Sequence, residues 1–198
     1  MKLWDLKISS SASVSAMFAD EEFWLRGQMR GINPNAVRAT LAAVPGAPVF
    51  MKLVDVDGNQ VDFSADNVPD IVFWTWLPIF SERAKQLFLA HGANEADFWL
   101  CEFEKIRSAQ FYLHVPTESY DILDMEHSKF RMIIPMDPPL PHLLELAKLR
   151  PDIPDLPPCF RVAIPGHLQV LSELVVTDEL KVDWEKTGLS GGEFRRLT

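Results

Sequence analysis

The sequence predicts an α+β protein, with a largely antiparallel sheet, three to four helices and two similar strand-helix-strand units in a single domain spanning residues 1–198. Three observations carry that expectation. First, residues 71–80 (IVFWTWLPIF) are apolar on both alternating faces, as in a strand covered on both sides. They lead into a helical pattern opened by Ser81, whose hydroxyl can accept from an N–H left unpaired in the first turn. Glu82 places negative charge in that turn. Ala84, Leu87, Phe88 and His91 share one face, and Gly92 suits the left-handed residue that closes a helix. Residues 97–103 (DFWLCEF) then resume an extended chain.

Second, the pattern recurs near the C-terminus. Thr177, Asp178, Lys181 and Trp184 repeat the spacing of Ser81, Glu82, Lys85 and Phe88, while Gly188 answers Gly92 and Phe194 answers Phe98. Capped amphipathic helices before strands resemble one another anyway; the other reading is a structural duplication, or two similar units flanking one sheet. Third, much of the remaining chain alternates apolar with polar residues over short runs, which favours antiparallel strands.

Taken in order, Trp4, Leu6 and Ile8 alternate with Asp5 and Lys7, as in a half-buried strand, and Ser9–Ser15 reads as loop. Phe23–Met29 fits either a short strand or irregular chain. Asn33-Pro34 opens a helix carrying Val37, Leu41 and Val44 and ending before Pro45-Gly46. Residues 1–47 thus form an N-terminal extension with one short helix. Residues 48–64 read as a hairpin turning at Asp57-Gly58. Asp55, Asp57 and Asn59 superficially resemble a calcium loop, but Gly58 follows the second Asp directly and no Glu stands at the twelfth position.

Residues 109–115 (AQFYLHV) place Ala109, Phe111, Leu113 and Val115 on one face and Gln110, Tyr112 and His114 on the other. Tyr120–Met132 reads as a short strand and a turn. Residues 135–158 hold eight of the fifteen prolines and read as a proline-rich insertion. Within it, Pro141–Arg150 fits a helix with Leu143, Leu144 and Ala147 on one face. Phe160, Val162 and Ile164 alternate again. A turn at Pro165-Gly166 and a strand at 169–176 lead to the capped C-terminal helix.

Composition narrows the function. At 47% hydrophobic, with six Trp and thirteen Phe, the chain can bury a substantial core. A net charge of −9 argues against nucleic acid or an anionic membrane as partner, since both require positive charge. It suits a basic protein partner if the acid is clustered. Residues 91–130 hold eight Asp/Glu against three Lys/Arg, more than half of the chain's excess negative charge. Cys101 and Cys159 sit in apolar runs and read as small core residues. The first residues, MKLWDLKISS, lack an apolar signal core, and no apolar run approaches membrane-spanning length, so the expected location is a reducing cytoplasm.

Catalytic grammar is weak. The sequence has no phosphate-cradling glycine loop, no G-x-S-x-G and no H-E-x-x-H. His91, His114, His127, His142 and His167 are far apart and lack metal-ligand spacing, so no metal and no cofactor are expected. His91 stands at a helix end, where it serves as a cap or dipole partner. His127-Ser128 beside Asp124 invites a hydrolase reading, but triads are assembled across a fold and not by adjacency.

The arrangement also resembles a known family. A capped helix after an apolar strand (PIFSERAKQLF) precedes an aromatic strand, then Leu123-Asp124…Ser128, then the closing VVTDELKVDWEKTGLSGGEF with Gly188, Leu189, Gly191 and Phe194. This resembles family eleven of the bacterial polymorphic-toxin immunity proteins over about residues 48–198. The proline-rich 135–158 is longer than that family's pattern, and residues 9–47 have no counterpart in it. The resemblance implies a non-enzymatic protein that binds and neutralises a toxin encoded beside it, with no catalytic residue of its own. Its motifs are caps, turns and core positions, so the interface is read from charge instead. Tyr120, flanked by Glu118, Asp121, Asp124 and Glu126, is the expected partner-facing neighbourhood, and a basic toxin such as a nuclease would suit it. The competing classes are a small cytoplasmic enzyme with an unrecognised site and an adaptor protein of a secretion system.

Overall fold

The computed structural model describes residues 1–9, 14–18, 34–43, 46–55, 57, 59–61, 67–74, 77–133, 140–153, 155–164 and 174–198. Among these residues the chain runs β1 (Leu3–Ile8), β2 (Val14–Phe18), α1 (Pro34–Ala42), β3 (Val49–Asp55), β4 (Ile71–Trp74), β5 (Leu77–Ser81) and α2 (Glu82–Ala90). It continues through β6 (Phe98–Phe103), β7 (Ile106–His114), β8 (Ser119–Tyr120), β9 (Lys129–Ile133) and β10 (Leu140–Leu146). It ends with β11 (Cys159–Val162), β12 (Leu174–Thr177), α3 (Asp178–Thr187) and β13 (Gly192–Arg196). The class is α+β, and every strand pairing is antiparallel except β3 with β6 and β8 with β11.

The larger sheet has the order β2-β3-β6-β7-β5-β4. Its end strands β2 and β4 lie against each other, so it curls into a near-closed barrel. Met51, Leu53, Val72, Trp74, Ile79, Phe111 and Leu113 form a core with Val37 and Leu41 of α1. Arg38 of α1 donates to Asp97 at 2.7 Å and to the Val115 carbonyl at 3.2 Å, which fastens the helix to the strand ends. The second sheet has the order β13-β1-β12-β11-β8, and β9 and β10 form a separate pair.

Two split β-α-β units organise these sheets. β5 and β6 are each antiparallel to β7, which lies between them, and α2 makes the crossover. β12 and β13 are each antiparallel to β1, which lies between them, and α3 makes the crossover. β4 flanks β5 just as β11 flanks β12. The two helices share one core, in which Phe80, Phe88 and Trp184 pack with Ile71, Leu174 and Val176. The Phe88 and Trp184 rings meet edge to face at 6.3 Å. Lys85 lies over Phe98 and Tyr112, and Lys181 over Phe194 and Trp4. The spacing echo in the sequence is therefore also an echo in space.

Both helix starts are as expected. Ser81 accepts from Ala84 N and Thr177 from Leu180 N. His91 is the C-cap of α2, pairs with Asp183 at 3.2 Å and is followed by Gly92 at φ +93°. Gly188 closes α3 in the left-handed region. One further glycine is dictated by contact. Gly191, at φ +90°, passes so close to β4 that a Cβ there would lie 2.2 Å from the Ile71 carbonyl oxygen. Around it, Ile71 N donates to Ser190 O, and Asp70 accepts from the Ser81 and Ser190 hydroxyls, which ties the two units together.

Several expectations are corrected. The run 71–80 is two strands, paired from Ile71–Phe80 to Trp74–Leu77, with Thr75 and Trp76 outside the described residues. Both arms are buried on both faces, so an apolar run without a break conceals the reversal. β1 is an interior strand of its sheet, between β13 and β12, with Leu3, Asp5 and Leu6 all buried, and is therefore not half-exposed. Val14 and Ser15 belong to a strand and not to a loop, because β2 pairs with β3. Of the hairpin expected at 48–64, the described residues hold the antiparallel bridge of Val54 with Gln60, with Asp55 N donating to Asn59 O and Val61 N to Leu53 O, while residues 62–64 lie outside them; β3 also has ladders with β2 and β6. Asp55 caps the turn by accepting from Asp57 N and Asn59 N.

The Pro141–Arg150 helix is instead β10 and the chain that follows it. Two register shifts, between Pro141 and Leu143 and between Leu144 and Leu146, displace the alternation and imitate helical spacing. Tyr120–Met132 holds a strand residue, a turn at 125–127 and the start of β9, as expected. Phe23–Met29, Asn33, Val44-Pro45, Gly58 and Pro165-Gly166, together with the first part of the 169–176 strand, lie outside the described residues.

Candidate functional site

The acidic neighbourhood is built on β8, which runs parallel to β11 with Val162 opposite Tyr120. The Tyr120 ring packs edge to face on Phe160 at 5.5 Å, above a core that includes Ile122 and Leu123. Its hydroxyl donates to Glu118, and that bond raises the phenol's pKa to about 12. Beyond Tyr120 the backbone is clipped to the 148–150 segment: Arg150 N donates to Ile122 O at 3.0 Å, and Asp124 N to Lys148 O at 2.8 Å.

Three of the four acids are engaged within the fold, Glu118 through the Tyr120 hydroxyl. Asp121 pairs with Arg150 at 2.8 Å, and Arg150 also holds Asp152. Asp124 accepts from the backbone N–H groups of Glu126 and His127, and its other oxygen pairs with His127 Nδ1 at 2.7 Å. The His127 hydrogen bond holds the Asp124 carboxyl below its ordinary pKa. Glu126 is exposed on the turn. The structure thus brings Glu118, Tyr120, Asp121, Asp124 and Glu126 onto one short, pinned segment. Glu118 and Glu126 carry its outward charge, and Asp121 and Asp124 fix its shape.

The Asp124–His127–Ser128 adjacency does not form a triad. The Ser128 hydroxyl donates to Lys148 O at 3.2 Å and accepts from Lys148 N at 3.0 Å, so it clips two chain segments. A second grouping was not legible in the sequence. His114, expected on a polar face, is 1% exposed and stacks on Phe98 at 4.6 Å. Its Nε2 lies 3.9 Å from the Cys159 thiol, and its Nδ1 has no hydrogen-bond partner among the described residues. Burial, reinforced by the neighbouring Arg161 charge, lowers the His114 pKa to about 3, and burial raises the pKa of the Cys159 thiol. A neutral imidazole beside a protonated, enclosed thiol is core packing. Cys101 is buried as well, its thiol pushed up to about 12.

Among the described residues, no group of three or more His, Cys, Asp or Glu side chains is placed to hold a metal ion. No helix among them is long and apolar enough to cross a membrane. Sequence reading also missed an open groove of about 510 Å³ on β3, β6 and β7. The signal was Phe50 and Leu100, apolar residues at outward positions of strands that already carry an inward apolar set. No model of a known protein family matches this chain, and no curated protein matches it.

Proposed function

We propose that the protein is a bacterial immunity protein, which binds a cognate polymorphic toxin encoded beside it and neutralises it without catalysis. The observation that carries this reading is the pinned acidic segment at Glu118–Glu126. Its backbone is fixed by Arg150, Lys148 and the Asp124 carboxylate, so little ordering entropy is lost when a partner docks. The outward Glu118 and Glu126 steer a basic partner, and Tyr120 supplies an aromatic body half-buried beside them. The resemblance over residues 48–198 points the same way, as does the net charge of −9.

The test is co-expression with the toxin encoded by the adjacent gene. Glu118→Lys with Glu126→Lys leaves the Asp121–Arg150 pair and the Asp124 turn intact. It should slow association at low salt by about tenfold or more, with a smaller change in dissociation. Cells protected as well by this variant as by the native chain, with unchanged association, would rule the segment out. Failure of the native chain to protect would rule out the immunity reading itself.

A further inference from the structure

Among the described residues, the outer face of the larger sheet is only partly covered. Helix α2 packs on its β5 side, where Phe80 and Phe88 meet at 4.5 Å. Where β3, β6 and β7 run beyond the helix, Phe50 is 55% exposed and Leu100 37%. Phe50 stands opposite Glu102 across the parallel pair, and Leu100 opposite Tyr112 across the antiparallel one. The groove beside them also presents Glu104 and Gln110. Its polar groups are already oriented: Gln60 donates to Glu104 at 3.0 Å, and the Tyr112 hydroxyl donates to Gln110 at 3.1 Å. Among the described residues, both charged side chains lining the groove are glutamates, while Lys52 and Lys105 line the adjoining hollow with Gln60.

We propose that this groove is a second docking surface, for a basic segment of a protein partner that seats an apolar side chain between Phe50 and Leu100 and reaches Glu102 and Glu104 with Lys or Arg. Two large exposed apolar side chains on a sheet mark a contact surface better than isolated ones do. The two carboxylates at the rim select the sign of what enters, since an acidic segment would be repelled by them and a neutral one would leave their charge uncompensated. This inference deepens the immunity reading and rests on it for the identity of the partner as a protein. Its chemistry is testable without the toxin.

The probe is a short, fluorescently labelled synthetic peptide alternating Lys and Leu, titrated into the full chain by anisotropy. Its comparators are a Lys/Gly peptide of equal charge and a neutral Gln/Leu peptide. The native chain should bind Lys/Leu about tenfold or more tighter than either comparator. Phe50→Ser with Leu100→Ser should remove that advantage. Glu102→Gln with Glu104→Gln should weaken binding about tenfold and flatten its salt dependence. Glu118→Lys with Glu126→Lys should leave it unchanged. If Phe50→Ser with Leu100→Ser does not fold by circular dichroism, the isosteric glutamine variant decides. Equal binding of Lys/Leu and Lys/Gly, no binding, or binding lost through Glu118 and Glu126 instead would each overturn the proposal. Failure of toxin protection with peptide binding intact would strike the immunity reading and leave the groove standing.

Discussion

The two split β-α-β units use the same local chemistry and differ in how the chain completes them. In both, a hydroxyl residue caps the helix, a lysine at the fourth position after the cap lies over aromatic rings, and an aromatic residue faces the other unit. The first unit takes its central strand, β7, from the chain immediately following β6. The second takes β1 from the far end of the sequence. Met1 and Thr198 are consequently neighbours: the Thr198 hydroxyl accepts from Leu3 N at 3.0 Å and donates to Met1 O at 3.3 Å. A split unit thus requires a central strand of the right direction and pattern, but not one of any particular place in the chain. The units also end differently. The first belongs to a sheet that curls almost closed around its own core, whereas the second belongs to a five-stranded sheet.

The largest test alters connectivity. Deleting residues 1–8 removes β1 with its ladders to β12 and β13, and the expected result is loss of cooperative folding by calorimetry. A permutant that joins Thr198 to Met1 through a short Gly/Ser linker and opens at the exposed Pro151–Asp152 turn should fold, because it restores in the second unit the order of the first. If the permutant fails while the linked termini remain compatible with the fold, the equivalence of the units is lost.

Next is the contact between the units. Trp184, 2% exposed, and Phe88, fully buried, should each cost about 3–5 kcal/mol on replacement by Ala, read from urea unfolding. A double-mutant cycle should return a coupling of about 0.5–1.5 kcal/mol. Zero coupling would mean that the helices lie together without specific packing.

His114 sharpens the comparison through pH, because its place at the end of β7 has no titrating counterpart in β1. Its folded pKa of about 3 lies below the ordinary 6.5. The unfolded chain therefore takes up a proton first as pH falls through about 6.5, and the folded state loses about 1.4 kcal/mol per pH unit from there toward pH 3. His114→Phe should flatten that slope in pH-dependent urea unfolding. Asp5 in β1 acts in the opposite sense: burial raises its pKa against the pull of Lys7 and Arg195, so acid protonates it more readily in the folded state.

The smallest effects are at the caps. Ser81→Ala and Thr177→Ala should each cost about 0.5–2 kcal/mol. Ser81 should cost more, because its hydroxyl also donates to Asp70 at 2.8 Å, whereas the Thr177 bond to Leu180 N is long, at 3.5 Å. Equal costs in thermal melts would mean that the Asp70 link adds nothing.

What the sequence determined by itself was local. Ser81, Thr177, Gly92 and Gly188 mark their helix ends because a cap needs only a side chain and a few neighbouring N–H groups, all within one turn. The class and the repeated unit followed from such signals together with alternation. The tertiary structure decided whatever depends on a distant partner. Residues 71–74 and 77–81 became two antiparallel strands, each with cover on both faces. Residues 140–146 became a strand because β9 offered a ladder, and its bulges had disguised the alternation as a helix. His114 is enclosed because Phe80, Phe88 and Phe98 surround it, and no feature of its own run records them. The acidic segment was visible as composition. That Arg150 and Lys148 hold it in shape, and that Phe50 and Leu100 share a groove with Glu102 and Glu104, depends on strands brought side by side across long separations in sequence, which no local pattern encodes.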